Sequence, residues 1–89
     1  MERKRTLRQL MEEERENRIE LFKDIFSERL KDLRQEKQLS QKSVANKLGV
    51  AVSTYANWEQ GRTEPSIYDI YNLLWVFDIE ANDLFNLDI

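Results

Sequence analysis

Three residues decide where this 89-residue chain can stop a helix, because Gly49 and Gly61 are its two glycines and Pro65 its one proline. They punctuate the stretch 39–65. Ser40 is a good helix N-cap, Val44, Ala45 and Leu48 then recur at helical spacing, and Gly49 offers the positive φ that ends the run. Beyond the turn, Val50, Tyr55 and Trp58 can share a buried side, the run closes at Gly61, and Pro65 prevents continuation. Two helices of about eight and nine residues, joined by a short turn containing glycine, make a helix-turn-helix.

The flanks read as helix too. From Lys23 to Glu36 an apolar face runs through Phe22, Phe26, Leu30 and Leu33 with Ile25 alongside, and Lys37-Gln38 ends it. After Pro65, Ser66 can cap a helix to about Phe77 with Ile67, Ile70, Leu73 or Leu74, and Phe77 facing inward; Ile79 and a short helix over 81–85 close the domain. Residues 1–22 lack Gly and Pro, are rich in Glu, Arg, Leu and Met, and offer Glu14 to Arg18 as a favourable i, i+4 pair. Their apolar content is thin: Leu7, Leu10 and Met11, then Ile19, Leu21 and Phe22. Three readings of this segment stand: a frayed arm, a helix continuous with the next and docked on the domain, or a helix that self-associates. The expected fold is all-α, a charged helical extension over 1–22 followed by a compact five-helix domain over 23–89.

Composition narrows the chemistry. With no His and no Cys, the commonest general base, nucleophile and transition-metal ligands are missing, and two glycines cannot build a phosphate-cradling loop. An enzyme is not expected, nor a cofactor or metal. No apolar run approaches membrane-spanning length, and Met-Glu-Arg-Lys-Arg at the start lacks the apolar segment of a signal peptide, so a cytoplasmic protein without a membrane partner is expected. Net charge is −3, but its distribution is uneven. Residues 37–63 hold Lys37, Lys42, Lys47 and Arg62 against Glu59 alone, whereas 64–89 hold six acids and no base. Contact with a polyanion needs local positive potential, not a positive total. The competing reading is that these charges are solvated faces without a partner.

From Phe26 to Phe85 the chain resembles the lambda-repressor-like, Cro/C1-type (XRE) DNA-binding domains. The resemblance rests on Leu33-Arg34, Leu39-Ser40-Gln41, Val44-Ala45, Leu48-Gly49-Val50, Ser53-Thr54, the run Trp58-Glu59-Gln60-Gly61-Arg62, Pro65-Ser66 and Leu84-Phe85. It implies that the helix over about 51–60 enters the major groove of double-stranded DNA and that Val52, Ser53 and Asn57 read base edges. Asn57 can pair bidentately with adenine, Ser53 can donate or accept, and Val52 can meet a thymine methyl. It implies phosphate contacts from Gln41, supported by Lys42, and from Gln60 and Arg62 after the recognition helix. Arg34 and Glu59 would form a structural pair across the helices. Lys37 and Lys47 read as ordinary solvent-facing lysines, and Val52, Ser53 and Asn57 can also be read as merely exposed helix residues.

Departures from the pattern carry information. Gln38 stands where the family often has Gly or Asn in a left-handed turn, and Ala51 where it usually has a Ser or Thr cap. Positions 52–57 contain no Arg, Lys or Gln, so a dimer on two half-sites is expected. Tyr68, Tyr71 and Trp75 form a stripe at i, i+3 and i+7, separate from the core face: either a dimer surface or side chains tucked over the domain edge. Leu84, Phe85, Leu87 and Ile89 could extend it. Arg3, Lys4, Arg5 and Arg8 could reach DNA as an arm or serve solubility. The reading is a sequence-specific transcriptional regulator of the repressor type, homodimeric; the alternative is an antitoxin-like or protein-interaction module, its partner held by the N-terminal helix or the aromatic stripe, with DNA binding secondary or absent.

Overall fold

The computed structural model describes residues 6–85, which form five helices and no strand: α1 (Leu7–Glu36), α2 (Gln41–Leu48), α3 (Val52–Glu59), α4 (Ile67–Phe77) and α5 (Ala81–Phe85). Arg3, Lys4, Arg5, Leu87 and Ile89 lie outside the described residues. Among those described, no helix is long and apolar enough to cross a membrane, and no cluster of acidic side chains could hold a metal ion.

Three of the helices begin on a side-chain cap. Thr6 accepts a hydrogen bond from the Gln9 amide, while its own amide donates to the Gln9 side chain, a capping box. Ser66 and Asp69 repeat the device at α4, and Ser40 caps α2 by accepting from the Ser43 amide at 3.0 Å. Four exits turn through the left-handed region: Gln38 after α1 (φ 57°), Gly49 after α2 (φ 75°), Gly61 after α3 (φ 71°) and Asp78 after α4 (φ 53°). Gln38 thus takes the turn expected of it, at the cost a side chain incurs there.

The core is one cluster. Phe26, Leu30 and Leu33 of α1, Val44 and Ala45 of α2, Tyr55 and Trp58 of α3, Leu73 and Phe77 of α4, and Leu84 of α5 are buried together. Arg29 Nε adds a 2.7 Å hydrogen bond to the Asp83 carbonyl, tying α1 to α5. Phe22, Phe26 and Phe85 stack with ring centroids 5.8–6.1 Å apart. Phe85 is therefore engaged within the chain and Leu84 is wholly buried, so neither extends an outer apolar surface.

Of the readings left open for residues 1–22, continuity with the next helix is what the described residues show: α1 runs unbroken through 22 and 23 for 30 residues. That half is not docked on the domain, since residues 6–22 are exposed throughout. At 1.5 Å per residue α1 is about 45 Å long, which accounts for most of the molecule's 57 Å long axis. Ile67, expected inward, is 87% exposed. It is the first residue of α4, with no preceding turn beneath it, and helical spacing sets it toward Tyr71, at the edge of the face that carries Ile70, Leu73 and Phe77.

The two glycines differ in what they prevent. A Cβ at Gly49 meets nothing within 4 Å, whereas one at Gly61 (φ 71°) comes within 3.1 Å of Ser27 Oγ, itself bonded to the Lys23 carbonyl at 2.7 Å. Gly49→Ala should cost about 1 kcal/mol, the left-handed penalty alone. Gly61→Ala should cost more, because Ser27 Oγ, held by its bond to the Lys23 carbonyl, must also give by a few tenths of an ångström; equal losses in denaturant midpoint for the two variants would contradict this.

Candidate nucleic-acid interface

α2 and α3 are held in register by one buried group. Glu59, at the end of α3, has a side chain only 3% exposed. Arg34 of α1 clamps it in a fork: Nε donates to Oε2 at 2.7 Å and Nη2 to Oε1 at 3.1 Å, while Nη1 donates to the Leu39 carbonyl at 3.0 Å. Gln41, the first residue of α2, donates from Nε2 to Glu59 Oε1 at 3.2 Å. Burial alone would push the Glu59 carboxyl up, but the hydrogen bonds from Arg34 and Gln41 outweigh it and hold the pKa below the ordinary 4.5. The bond to Glu59 raises Arg34 in turn, against a smaller opposing effect of burial.

Tyr55 lies against this pair. Burial first, then the neighbouring carboxylate, pushes its phenol far above the ordinary 10.0. The hydroxyl feels both charges, yet among the described residues it has no partner in hydrogen-bond geometry. The Tyr55 ring meets Trp58 edge-on at 6.0 Å, and the two seat α3 on the core.

The opposite side of α3 faces water. Val52 and Ser53 are exposed, and Ala56 and Asn57 are half-buried. Helical geometry places Ser53, Ala56 and Gln60 at the centre of the outward face, with Val52 and Asn57 on its flanks. Ala51 provides α3 with no side-chain cap, so the first amides of the helix are not satisfied by the chain in that way. Lys42 and Arg62 are exposed, and neither has an ion-pair partner among the described residues; Lys37 and Lys47 are likewise exposed. Gln41 is half-buried, and its bond to Glu59 brings the start of α2 beside the end of α3, next to Gln60. The site therefore presents a small polar helix face framed by Lys42 and Arg62.

Tyr68, Tyr71 and Trp75 are all exposed on α4 and are not tucked over the domain edge, with Tyr71 and Trp75 edge-on at 6.3 Å. What residue spacing did not reveal was the Arg34 bond to the Leu39 carbonyl, the position of the Tyr55 hydroxyl and the addition of Ile67 to this patch. An Arg near the end of one helix and a Leu five residues on carry no pattern that announces a bond between side chain and backbone.

Comparison with known proteins places this geometry. Residues 30–84 match the model of a helix-turn-helix family, HTH_3. The chain is 35% identical over 60 residues to YqaE, an uncharacterized HTH-type transcriptional regulator of Bacillus subtilis, covering 67% of this chain and 52% of that protein. It is 33% identical over 60 residues to RstR, the transcriptional repressor of the cryptic phage CTXphi from Vibrio cholerae, covering 67% and 54%. It thus spans about half the length of these relatives. The restriction-modification controller protein C.AhdI from Aeromonas hydrophila superposes with a TM-score of 0.65 at 34% identity, over 68% of this chain and 92% of that one.

Removing Glu59 would leave Arg34 without its buried partner, so Glu59→Ala should lower stability by roughly 3 kcal/mol. Because its folded-state pKa is depressed, the carboxylate stabilises the fold above its ordinary pKa, and that contribution disappears as pH falls through the folded-state value. The melting-temperature gap between the wild type and Glu59→Gln should therefore narrow below about pH 4; a gap that stays constant down to acid unfolding would contradict the assignment.

Proposed function

The chain belongs to the HTH_3 helix-turn-helix family, and from that premise we propose that it is a sequence-specific, non-enzymatic transcriptional regulator of the repressor type that binds double-stranded DNA in the cytoplasm. The observation that carries this is the bracing of Glu59. Held by Arg34 from α1 and by Gln41 from α2, it fixes the outward face of α3 relative to the cationic ends of the motif. A rigid, water-facing helix flanked by cations without ion-pair partners suits a major groove edged by phosphates.

The roles then divide by chemistry. Asn57 pairs with an adenine edge, Ser53 donates or accepts, and Val52 meets a thymine methyl. Lys42 and Arg62 answer phosphates as charges. Gln41 and Gln60 hold the backbone as neutral donors, and Gln41 does so while bonded to Glu59. The first amides of α3, which Ala51 does not cap, add donors toward the same strand. Base readout from three small side chains is modest, so two copies act together through Tyr68, Tyr71 and Trp75, the exposed aromatic patch on α4.

Selection of bound sequences from a random duplex pool, with affinities measured across salt, tests the assignment. The wild type should enrich a palindromic motif. Asn57→Ala should blur one position at a cost of about 1–3 kcal/mol, while Lys42→Ala should weaken all sequences alike and reduce the salt slope by about 1. Glu59→Ala should lose stability and keep its preferred letters. No enrichment even at low salt would overturn base readout.

A further inference from the structure

The exposed half of α1 carries a second face that nothing among the described residues covers. Leu7, Met11, Glu14, Arg18, Leu21 and Ile25 follow one another in steps of four, three, four, three and four, the spacing of a coiled-coil seam. Its four apolar members are each 43–74% exposed. The stripe is turned about a quarter of a revolution from the face that buries Phe26 and Leu30, so it belongs to a separate contact. The ion pair Glu14–Arg18, at 3.2 Å and well exposed, sits in its middle.

The order reads alike from either end. Counting outward from Glu16, Glu14 and Arg18 lie two residues away, Met11 and Leu21 five, and Leu7 and Ile25 nine. A second copy laid antiparallel, with its two-fold axis at Glu16, sets Leu7 against Ile25, Met11 against Leu21, and Glu14 against Arg18, each twice. In antiparallel coiled coils these are the positions that share a layer. A parallel copy in register would instead set Glu14 against Glu14 and Arg18 against Arg18. A polar layer in an apolar seam specifies orientation and register at some cost in stability.

We propose that the arm of α1 is a self-recognition surface, on which the occupant is the same arm of a second copy, antiparallel, its register set by reciprocal Glu14–Arg18 pairs. The contact is separate from the aromatic patch on α4 and does not depend on the DNA-binding reading.

The test uses the full chain carrying Tyr71→Ala and Trp75→Ala, which removes the other candidate contact, and follows mass by sedimentation at tens of micromolar. With the wild-type arm this chain should be a dimer. Glu14→Arg and Arg18→Glu should each become monomeric. An equimolar mixture of the two should return to dimer, because one chain then offers two cations to the other's two anions. The swap Glu14→Arg/Arg18→Glu should dimerise as the wild type does, which separates lost pairing from a lost helix. Orientation is read by disulfides, since the chain has no cysteine. Leu7→Cys/Ile25→Cys should cross-link between chains, the two sites lying about 27 Å apart within one helix, and Leu7→Cys alone should not. A monomer with the wild-type arm, a dimer that survives either reversal, a mixture that stays monomeric, or efficient cross-linking of Leu7→Cys alone would overturn the proposal.

Discussion

A carboxylate withdrawn from water costs several kcal/mol unless its charge is answered, and the placement of α3 follows from how Glu59 is answered. Arg34 fills both oxygens with a planar fork and spends its remaining reach on the Leu39 carbonyl, at the turn into α2. Gln41 then adds a donor from the first residue of α2. One side chain thus fixes three helices, and the fork's geometry makes the fixing directional where apolar packing by Tyr55 and Trp58 alone would not. Lysine at position 34 would keep the charge and lose the shape.

That constraint explains why the outward face of α3 can be so plain. α3 is two turns long, its N-terminus has no side-chain cap, and its outward side chains are small. Such a helix is marginal alone. It keeps its form here because its inner face is buried and its C-terminal end is pinned, leaving the outer face free of structural duty.

Much of this was legible in residue order, and the misses share a physical cause. Ser40, Gly49 and Gly61 mark their boundaries because capping and positive φ are local properties of two or three residues. Helical periodicity likewise identifies Phe26, Leu30, Leu33, Val44, Leu73 and Phe77. It fails at Ile67 because that residue lies at the edge of the α4 core face, on the side of Tyr71, while Ile70 in the same turn does pack against the core. It left the segment before Lys23 open because sparse apolar residues argue against an isolated helix but not against the extension of one already docked: adding residues to a formed helix avoids the cost of nucleation. The Thr6–Gln9 capping box at the far end helps to hold that extension.

The arm and the aromatic patch raise a question of symmetry. Each, taken as a contact between like copies, is isologous and brings its own two-fold axis. A chain using one of them closes as a dimer; a chain using both either closes as a four-chain assembly or propagates. The patch on α4 is aromatic, without charge at its centre, so it depends on area. The arm has a thin seam interrupted by charges, and depends on register. Contacts so different respond differently to conditions: salt screens the exposed Glu14–Arg18 layer and leaves apolar area largely intact. Raised ionic strength should therefore loosen the arm contact and leave the α4 contact largely unchanged.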